Sequence, residues 1–301
     1  MTFTNKAAQE MRTRAALMVD RSLRDLRMGT FHSFGAQLLR EEAPCAGRDR
    51  TFTIYDQDDS EKLMKEVLKS LNMDLKKIPP RAVLSRIESA KHEVLGPDDM
   101  ESVTGWEMKE LAPRAYKLYE ALLRKNNAFD FGDLIMHSVI LLENDEGARK
   151  RWSERFQHVM VDEYQDIDVA QYRILRCLAG EGENMFVVGD PDQSIYAWRG
   201  ADVRNILEFQ KDFPGAAIYR LEKNYRSYGN ILKVADAVIH HNRKRLDKKL
   251  VAVREDGPKI AVLEAYTDRE EAEEIAERAR SQIWLDKGTR GQGDGERKAE
   301  I

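Results

Sequence analysis

The sequence predicts a mixed α/β protein built on a parallel sheet, and two short apolar segments carry this prediction. The segment at residues 158–161 ends at Asp162 and Glu163, and the segment at residues 185–188 runs through a glycine to Asp190. Short apolar runs bounded by polar residues are typical of buried parallel strands. Helical patterns alternate with these segments along the chain, as parallel strands require.

The N-terminal part of the chain predicts one helix and the entry into a second. Thr4 suits the N-cap of a helix over residues 5–18, since its hydroxyl can accept a hydrogen bond from the first turn. Four apolar residues of this helix have helical spacing and predict a face packed on the sheet: Ala8, Met11, Ala15 and Met18. Residues 28–34 predict a short strand entering a helix that Thr30 or Ser33 caps.

The remainder of the chain divides into a helical part and a second α/β part. Residues 35–156 are helical in pattern and predict an insertion between two halves of an α/β domain, with no catalytic cluster of its own. Beyond it we expect helices over 171–178, 202–211, 229–241 and 268–284, strands over 218–221 and 260–263, and a glycine-rich loop over 286–299.

Composition restricts the class of protein. Hydrophobic residues make up 42% of the 301 residues and charged residues 34%, which supports a folded core under a charged surface. The net charge is −4, so any binding to nucleic acid rests on local patches. Two cysteines, no apolar run of membrane-spanning length and no apolar signal-peptide core predict a soluble, cytoplasmic protein with no membrane partner.

The acidic strand ends predict hydrolytic chemistry on a nucleotide. The carboxyl ends of parallel strands open on one cleft, so Asp162, Glu163, Asp190 and Gln193 are expected to lie together. Paired carboxylates of this kind can hold Mg²⁺ and orient an attacking water molecule. An Asp-Glu pair alone would suit a solvated turn, but the buried strand before it favours the catalytic interpretation.

Residues 193–199 combine an amide, two aromatic side chains and an arginine. Tyr196 and Trp198 alternate as the residues of a strand do, and Arg199 adjoins them. Aromatic rings flanked by arginine form a platform on which single-stranded bases stack, although such a group can also close a hydrophobic core. Gln193 would then link a terminal phosphate to the base-stacking residues.

Three basic features allow two interpretations each. Arg226 follows a predicted strand, where a cation from a second domain could stabilise charge on a γ-phosphate, but a surface salt bridge would account for it as well. A lone histidine such as His32 is more often structural than catalytic, and both interpretations stay open. The basic run at residues 243–249 suits either phosphate contacts or a solvated helix end.

Six segments in this order resemble the motifs of the UvrD/Rep/PcrA family of superfamily-one DNA helicases. They begin at Thr2, Gly29, Asp130, Val161, Gly189 and Leu221 and read TFTNKAA, GTFHS, DFGDL, VDEYQD, GDPDQSIYAWRGA and LEKNYRS. The resemblance extends over essentially the whole chain. It implies a RecA-like P-loop NTPase fold with a parallel sheet, and ATP-driven movement on single-stranded DNA in the 3′ to 5′ direction.

The resemblance also implies roles for individual residues. Asp162 would bind Mg²⁺, Glu163 would be the general base in ATP hydrolysis, and Gln193 would sense the γ-phosphate. Tyr225 would stack on adenine, and Arg226 would contact the γ-phosphate. A further group would line the path of single-stranded DNA: Phe3, Asn5, His32, Tyr196, Trp198 and Arg199.

The implied organisation has three parts. Residues 1–33 and 157–222 would form the first RecA-like core, residues 34–156 an inserted helical accessory domain that touches duplex DNA, and residues 223–301 the beginning of a second core. The expected partners are single-stranded DNA and its junction with a duplex. The expected setting is bacterial-type DNA repair or replication at the nucleoid.

One motif of the family has no counterpart in the sequence. The loop Gly-x-x-x-x-Gly-Lys-Ser/Thr, which grips the phosphates of ATP, does not occur in the 301 residues, and neither do the later motifs of the family. In the family this loop precedes the segment that begins at Thr2, so the chain is expected to be a partial helicase. The alternative is a protein that binds DNA or a partner without hydrolysing ATP.

Overall fold

The computed structural model describes residues 1–2, 4–19, 26–100, 109–180, 184–242 and 248–290. The chain divides into two compact units, one of Met1–Tyr219 with Asn242–Asp247 and one of Arg220–His241 with Lys248–Ile301. Among the described residues no helix is long and apolar enough to cross a membrane.

The larger unit alternates helices with short strands. Its helices are α1 (Asn5–Met18), α2 (Phe31–Glu41), α3 (Gln57–Ser70), α4 (Pro80–His92), α5 (Leu111–Lys125), α6 (Phe131–Asn144), α7 (Glu146–Glu154), α8 (Val169–Ala179), α9 (Arg204–Leu207) and α10 (Phe209–Asp212). Its strands are β1 (Thr53–Tyr55), β2 (Ala128–Asp130), β3 (Val159–Val161) and β4 (Met185–Val187). The smaller unit contains β5 (Lys223–Asn224), α11 (Gly229–Ile239), β6 (Val251–Ala252) and α12 (Asp268–Arg290).

The prediction of a parallel sheet at the acidic segments is confirmed. β3 pairs with β4 in parallel, so that Val161 lies opposite Val187. On the other edge of β3, the amide of Asp162 donates a hydrogen bond of 3.0 Å to the carbonyl of Met1. Thr2 forms a parallel bridge with Thr30, immediately before α2. The segments at residues 1–2 and 29–30 therefore continue the parallel arrangement beside β3.

Both predicted N-caps are present. The Thr4 hydroxyl accepts a hydrogen bond from the amide of Ala7 at 3.1 Å, and the Thr30 hydroxyl accepts one from Ser33 at 3.2 Å. The predicted packed face of α1 is confirmed only in part: Ala8 is buried and Ala15 half-buried, but Met11 and Met18 are 37% and 83% exposed. Helical spacing shows which side chains share a face but does not show whether another element covers that face.

The inserted helices build a hydrophobic core of their own. Helices α3, α4 and α5 pack together, with Tyr116 and Tyr119 fully buried between them. Helix α6 packs against α2 and α8, and these helices form a second hydrophobic core with the buried residues of β3. The short parallel pair β1 and β2 joins these two regions, and the sequence did not predict it.

Several predicted elements after residue 200 differ from the structure. The helix expected over 202–211 is divided into α9 and α10 at Glu208, and α12 extends through residue 290 into the expected loop. No strand occupies 218–221 or 260–263 in the described chain. The paired strands of this part of the chain are β5 and β6, which lie at other positions. An apolar run forms a strand only beside a partner, and Val262 is 92% exposed.

Candidate functional site

Asp162 and Glu163 lie directly at the carboxyl end of β3. Asp162 is half-buried, and Glu163 is exposed. The backbone of Glu163 has φ 53° and ψ 44°, in the left-handed region that residues other than glycine rarely adopt. This conformation turns the chain from β3 into the 3-10 turn Tyr164–Asp166. The fold thus holds the candidate general base in an unfavourable backbone state, as happens most often at functional sites.

Gln165 joins the two strand ends. Its buried side chain donates from Nε2 to Oε2 of Glu163 at 2.9 Å and to the carboxylate of Asp166 at 3.3 Å. Its Oε1 accepts a hydrogen bond from the backbone amide of Asp190 at 2.9 Å. Burial, and then the charge of Glu163, raise the pKa of Asp166. Gln165 therefore fixes the Glu163 carboxylate relative to the loop after β4.

The loop after β4 approaches Gln165 so closely that it requires glycine. A Cβ atom on Gly189 would lie 2.6 Å from Oε1 of Gln165 and 2.8 Å from Cδ1 of Ile206. Beyond this glycine, Gln193 donates from Nε2 to Oδ2 of Asp190 at 2.8 Å. Hydrogen bonds thus run from Glu163 through Gln165 and Asp190 to Gln193.

The acidic strand end has the chemistry of a divalent-cation site. Carboxylate oxygens are the ligands that Mg²⁺ prefers. Within the part of the chain that the structure describes, no lysine or arginine side chain forms an ion pair with Asp162 or Glu163. The Met1 ammonium acts on Asp162 through its charge and Gln165 donates to one oxygen of Glu163, but the chemistry of this strand end still suits a divalent metal and an attacking water molecule.

Tyr196, Trp198 and Arg199 form a cluster of two rings and one cation, in which Trp198 and Arg199 are exposed and Tyr196 is half-buried. The ring centroids of Tyr196 and Trp198 are 6.4 Å apart, and the Arg199 guanidinium lies 5.9 Å and 5.4 Å from them. The strand-like alternation expected of the two aromatic residues is wrong, since Ala197–Arg199 is a 3-10 turn that ends at Gly200. The tight turn brings both rings close to one guanidinium. We call this cluster the aromatic platform.

Asn5 and His32 line one groove of about 390 Å³, together with Thr30, Ser33 and Phe131 among others. The ring of His32 lies 5.5 Å from that of Phe131, which is 51% exposed. Burial lowers the pKa of His32. The charge of Asp168 opposes this shift, and the charge of Arg199 adds to it. Phe3 lies outside the described residues, as do residues 243–247 of the basic run.

Tyr225 and Arg226 lie in the smaller unit, on the turn after β5. Tyr225 is 70% exposed. The side chain of Asn224 accepts hydrogen bonds from the amides of Arg226 and Ser227 at 3.0 Å and 2.8 Å. Arg254 donates to the carbonyl of Arg226 at 3.0 Å. These bonds fix the turn and present both side chains at the surface of the unit.

A second acidic cluster lies inside the inserted helices, but its cation is a side chain. The ammonium of Lys91 lies 2.8 Å from Glu120, 2.8 Å from Asp130 and 2.6 Å from Asp133. Burial opposes the charge of Lys91, yet these carboxylates outweigh it and raise its pKa well above the usual value. Glu120, Asp133 and His137 have the spacing of metal ligands. Lys91 already neutralises two of them, so this cluster is structural.

Sequence reasoning noted Gln165 only as a neighbour of the acidic pair and did not predict the roles of Phe131 and Lys91, all three of which the structure makes prominent. Gln165 and Phe131 stand inside the recognised motif segments, but only the fold shows that one is buried between strand ends and the other is exposed in the groove. Lys91 gave no signal in the sequence, because its partners are Glu120 and Asp130, which are distant along the chain.

The larger unit is an α/β fold in which acidic residues follow the carboxyl ends of parallel strands, and comparison with known families shows to which family such a chain belongs. Residues 1–214 match the UvrD/REP helicase N-terminal domain, and residues 219–291 match the UvrD-like helicase C-terminal domain. The chain therefore belongs to the UvrD/Rep helicase family, and its mixed α/β fold with parallel sheets is that of the RecA-like domains of this family.

Curated relatives carry the name ATP-dependent DNA helicase PcrA. The protein of Staphylococcus epidermidis is 42% identical over 275 residues, which are 91% of this chain and 38% of that protein. The proteins of Leuconostoc citreum and Staphylococcus aureus are also 42% identical, over 90% and 91% of this chain and 36% and 37% of their own lengths. The chain thus spans less than two fifths of these relatives.

Proposed function

We propose that this chain supplies the ATP-hydrolysing and strand-gripping parts of an ATP-dependent DNA helicase. Such a protein would move 3′ to 5′ on single-stranded DNA, at junctions with duplex, in repair or replication at the bacterial nucleoid. In this proposal residues 1–33 with 157–222 form the first RecA-like core, residues 34–156 the accessory domain, and residues 223–301 the start of the second core. The match to the family and the PcrA relatives support it.

The strand-end residues would divide the work of hydrolysis. Asp162 would hold Mg²⁺, which when bound neutralises charge on the phosphates of ATP. The carboxylate of Glu163 would accept the proton of the attacking water, since Gln165 holds its other oxygen in place. Gln193 would exchange its bond to Asp190 for one to the γ-phosphate.

The remaining assignments concern the adenine and γ-phosphate of ATP and the DNA strand. Tyr225 would stack on adenine and Arg226 would stabilise charge on the γ-phosphate from the second core. Tyr196, Trp198 and Arg199 would stack on bases of a single strand. The groove of Asn5 and His32 would take the strand's backbone and a further base, with these residues in contact: Phe3, Asn5, His32 and Phe131.

One observation carries the proposal: the hydrogen-bonded route from Glu163 to Gln193, which enters the segment that bears the aromatic platform. Gln165 bonds Glu163 at one end and the Asp190 amide at the other. Platform residue Tyr196 follows Gln193 by three residues. A change at the nucleotide would therefore reach the platform through three hydrogen bonds and the short segment from Gln193 to Tyr196.

Hydrolysis of ATP by the purified chain, with and without an oligothymidylate, tests the enzymatic part. We expect any hydrolysis by the chain, whose 301 residues contain no phosphate-gripping loop, to be stimulated by DNA and to fall about 100-fold or more in Glu163→Gln, because the amide cannot accept a proton. Glu154→Gln is the matched control, since Glu154 is exposed at the end of α7. Equal rates for the Glu163→Gln variant and the unmodified chain would contradict the assignment of the general base.

A second candidate function is single-strand binding without hydrolysis by these residues alone. The observation that favours it is that the 301 residues contain no phosphate-gripping Gly-x-x-x-x-Gly-Lys-Ser/Thr loop. Oligonucleotide binding by a chain that does not hydrolyse ATP would support this candidate. Hydrolysis that depends on Glu163 would reject it.

A further inference from the structure

Asp168 joins three parts of the larger unit, two through its carboxylate and one through its backbone. Its Oδ1 accepts a hydrogen bond of 2.7 Å from the amide of Gln171 and thereby caps α8. Its Oδ2 lies 2.7 Å from Nδ1 of His92, the last residue of α4. Its backbone forms an antiparallel bridge with Ala201, just after the aromatic platform. Asp168 thus connects α8 and α4 through its side chain, and through its backbone the loop at residues 194–201 that carries the aromatic platform, called the platform loop below.

His92 also packs directly on the platform loop. A Cβ atom built on Gly200 would lie 3.5 Å from Cβ of His92. Gly200 has φ 90°, which only glycine adopts readily, and this conformation ends the turn that bears Trp198 and Arg199. The imidazole of His92 therefore lies between the helical insertion and the end of the platform.

Four titratable or charged groups act on His92 from the elements around it. They are Asp168 before α8, Glu88 on α4 itself, Arg199 in the platform loop and His32 at the start of α2. Burial lowers the pKa of His92, but the hydrogen bond and charge of Asp168, with Glu88, outweigh burial and Arg199 and raise it. As pH rises through that raised pKa, the ion pair loses its positive partner.

We propose that His92 is a positioning residue for strand binding: its ion pair with Asp168 fastens the platform loop to the helical insertion. This inference rests on the proposed binding of a single strand at Tyr196, Trp198 and Arg199. His92 does not touch the strand in this arrangement. Charged His92 holds the loop in the form that stacks on bases, and neutral His92 releases it, so strand affinity falls as pH rises.

Fluorescence anisotropy of a labelled oligothymidylate, titrated with the whole chain at a series of pH values, tests the proposal. We expect the affinity of the unmodified chain to fall about fivefold as pH rises from about 6.5 to about 8, a change at the lower end of ordinary coupling between sites. His92→Gln should bind the oligothymidylate weakly, and its affinity should not show this step, the fall between pH about 6.5 and about 8. His158→Gln, which changes an exposed histidine of the same unit, should retain it.

Asp168→Asn provides a second variant that keeps the cap of α8. Asparagine caps helices as well as aspartate does, so α8 should remain intact while the negative partner of His92 is lost. The affinity step should then move to lower pH. If the strand affinity of Asp168→Asn changes with pH as that of the unmodified chain does, the proposal is overturned.

Three further outcomes are decisive. If the His92→Gln variant keeps the step in affinity, His92 does not position the platform. If that variant does not fold by circular dichroism, NMR titration of the His92 ring in the unmodified chain decides, because reciprocal linkage requires oligothymidylate to raise its pKa. An unchanged pKa would overturn the inference. Failure of the unmodified chain to bind would instead reject the proposed strand-binding function.

Discussion

Two tryptophan–arginine clusters in the larger unit share their side-chain chemistry and differ in what surrounds them. Trp152 is 2% exposed, and the Arg155 guanidinium lies 4.7 Å from its ring centroid. Trp198 is 78% exposed, and the Arg199 guanidinium lies 5.4 Å from its ring centroid. Both pairs have the geometry of a cation–π contact.

The difference between the clusters lies in their other partners. The indole N–H of Trp152 donates to Glu42 at 3.1 Å, and Arg155 pairs with Glu41 at 2.7 Å. Within the described chain no carboxylate forms an ion pair with Arg199. The Trp152 cluster thus has internal partners for its ring and charge. The aromatic platform keeps a ring face and a cation for a ligand, which is the arrangement that single-stranded bases require.

The largest effect that separates the two clusters is expected from Trp152→Ala. Removal of a buried tryptophan from a packed core should lower the free energy of unfolding by about 3–5 kcal/mol. Urea denaturation followed by circular dichroism measures this, and Trp152→Phe, which retains an aromatic ring, should cost clearly less. A loss below about 1 kcal/mol for Trp152→Ala would mean that this cluster is not a core element.

A smaller effect should distinguish the two arginines. Arg199→Met should weaken binding to an oligothymidylate and reduce its dependence on salt concentration, by about one unit of log–log slope if Arg199 also contacts a phosphate. Arg155→Met should leave binding and its salt dependence unchanged, because Glu41 already pairs with that guanidinium. Equal effects of the two substitutions on binding would contradict the claim that Arg199, but not Arg155, is available to a ligand.

Local chemistry explains what the sequence could predict. Short apolar runs before acids predicted β3 and β4 and their parallel pairing, and hydroxyls before apolar periodicity predicted the caps at Thr4 and Thr30. The grouping of Glu163 with Gln193 followed from the rule that strand ends of a parallel sheet meet at one edge. Each of these features depends on neighbours in sequence or on a general property of sheets.

Tertiary contacts explain what the sequence could not predict. Met11 and Met18 of α1 and the run at 260–263 are suitable residues, but among the described residues Met11 and Met18 stay exposed and the run has no pairing strand. Tyr196 and Trp198 alternate along the chain, yet Gly200 allows a 3-10 turn instead of a strand. The contact of His92 with Asp168 spans 76 residues of sequence, so no local pattern indicates it.

Binding of a labelled oligothymidylate to the unmodified chain and to Trp198→Ala tests the central claim most directly, since the claim is that the aromatic platform binds single strands. We predict that Trp198→Ala weakens binding by about 1–3 kcal/mol, the contribution of one stacked base, and leaves the urea midpoint unchanged. Trp152→Phe, measured alongside, should bind as the unmodified chain does. Equal affinity of the Trp198→Ala variant and the unmodified chain would contradict the account.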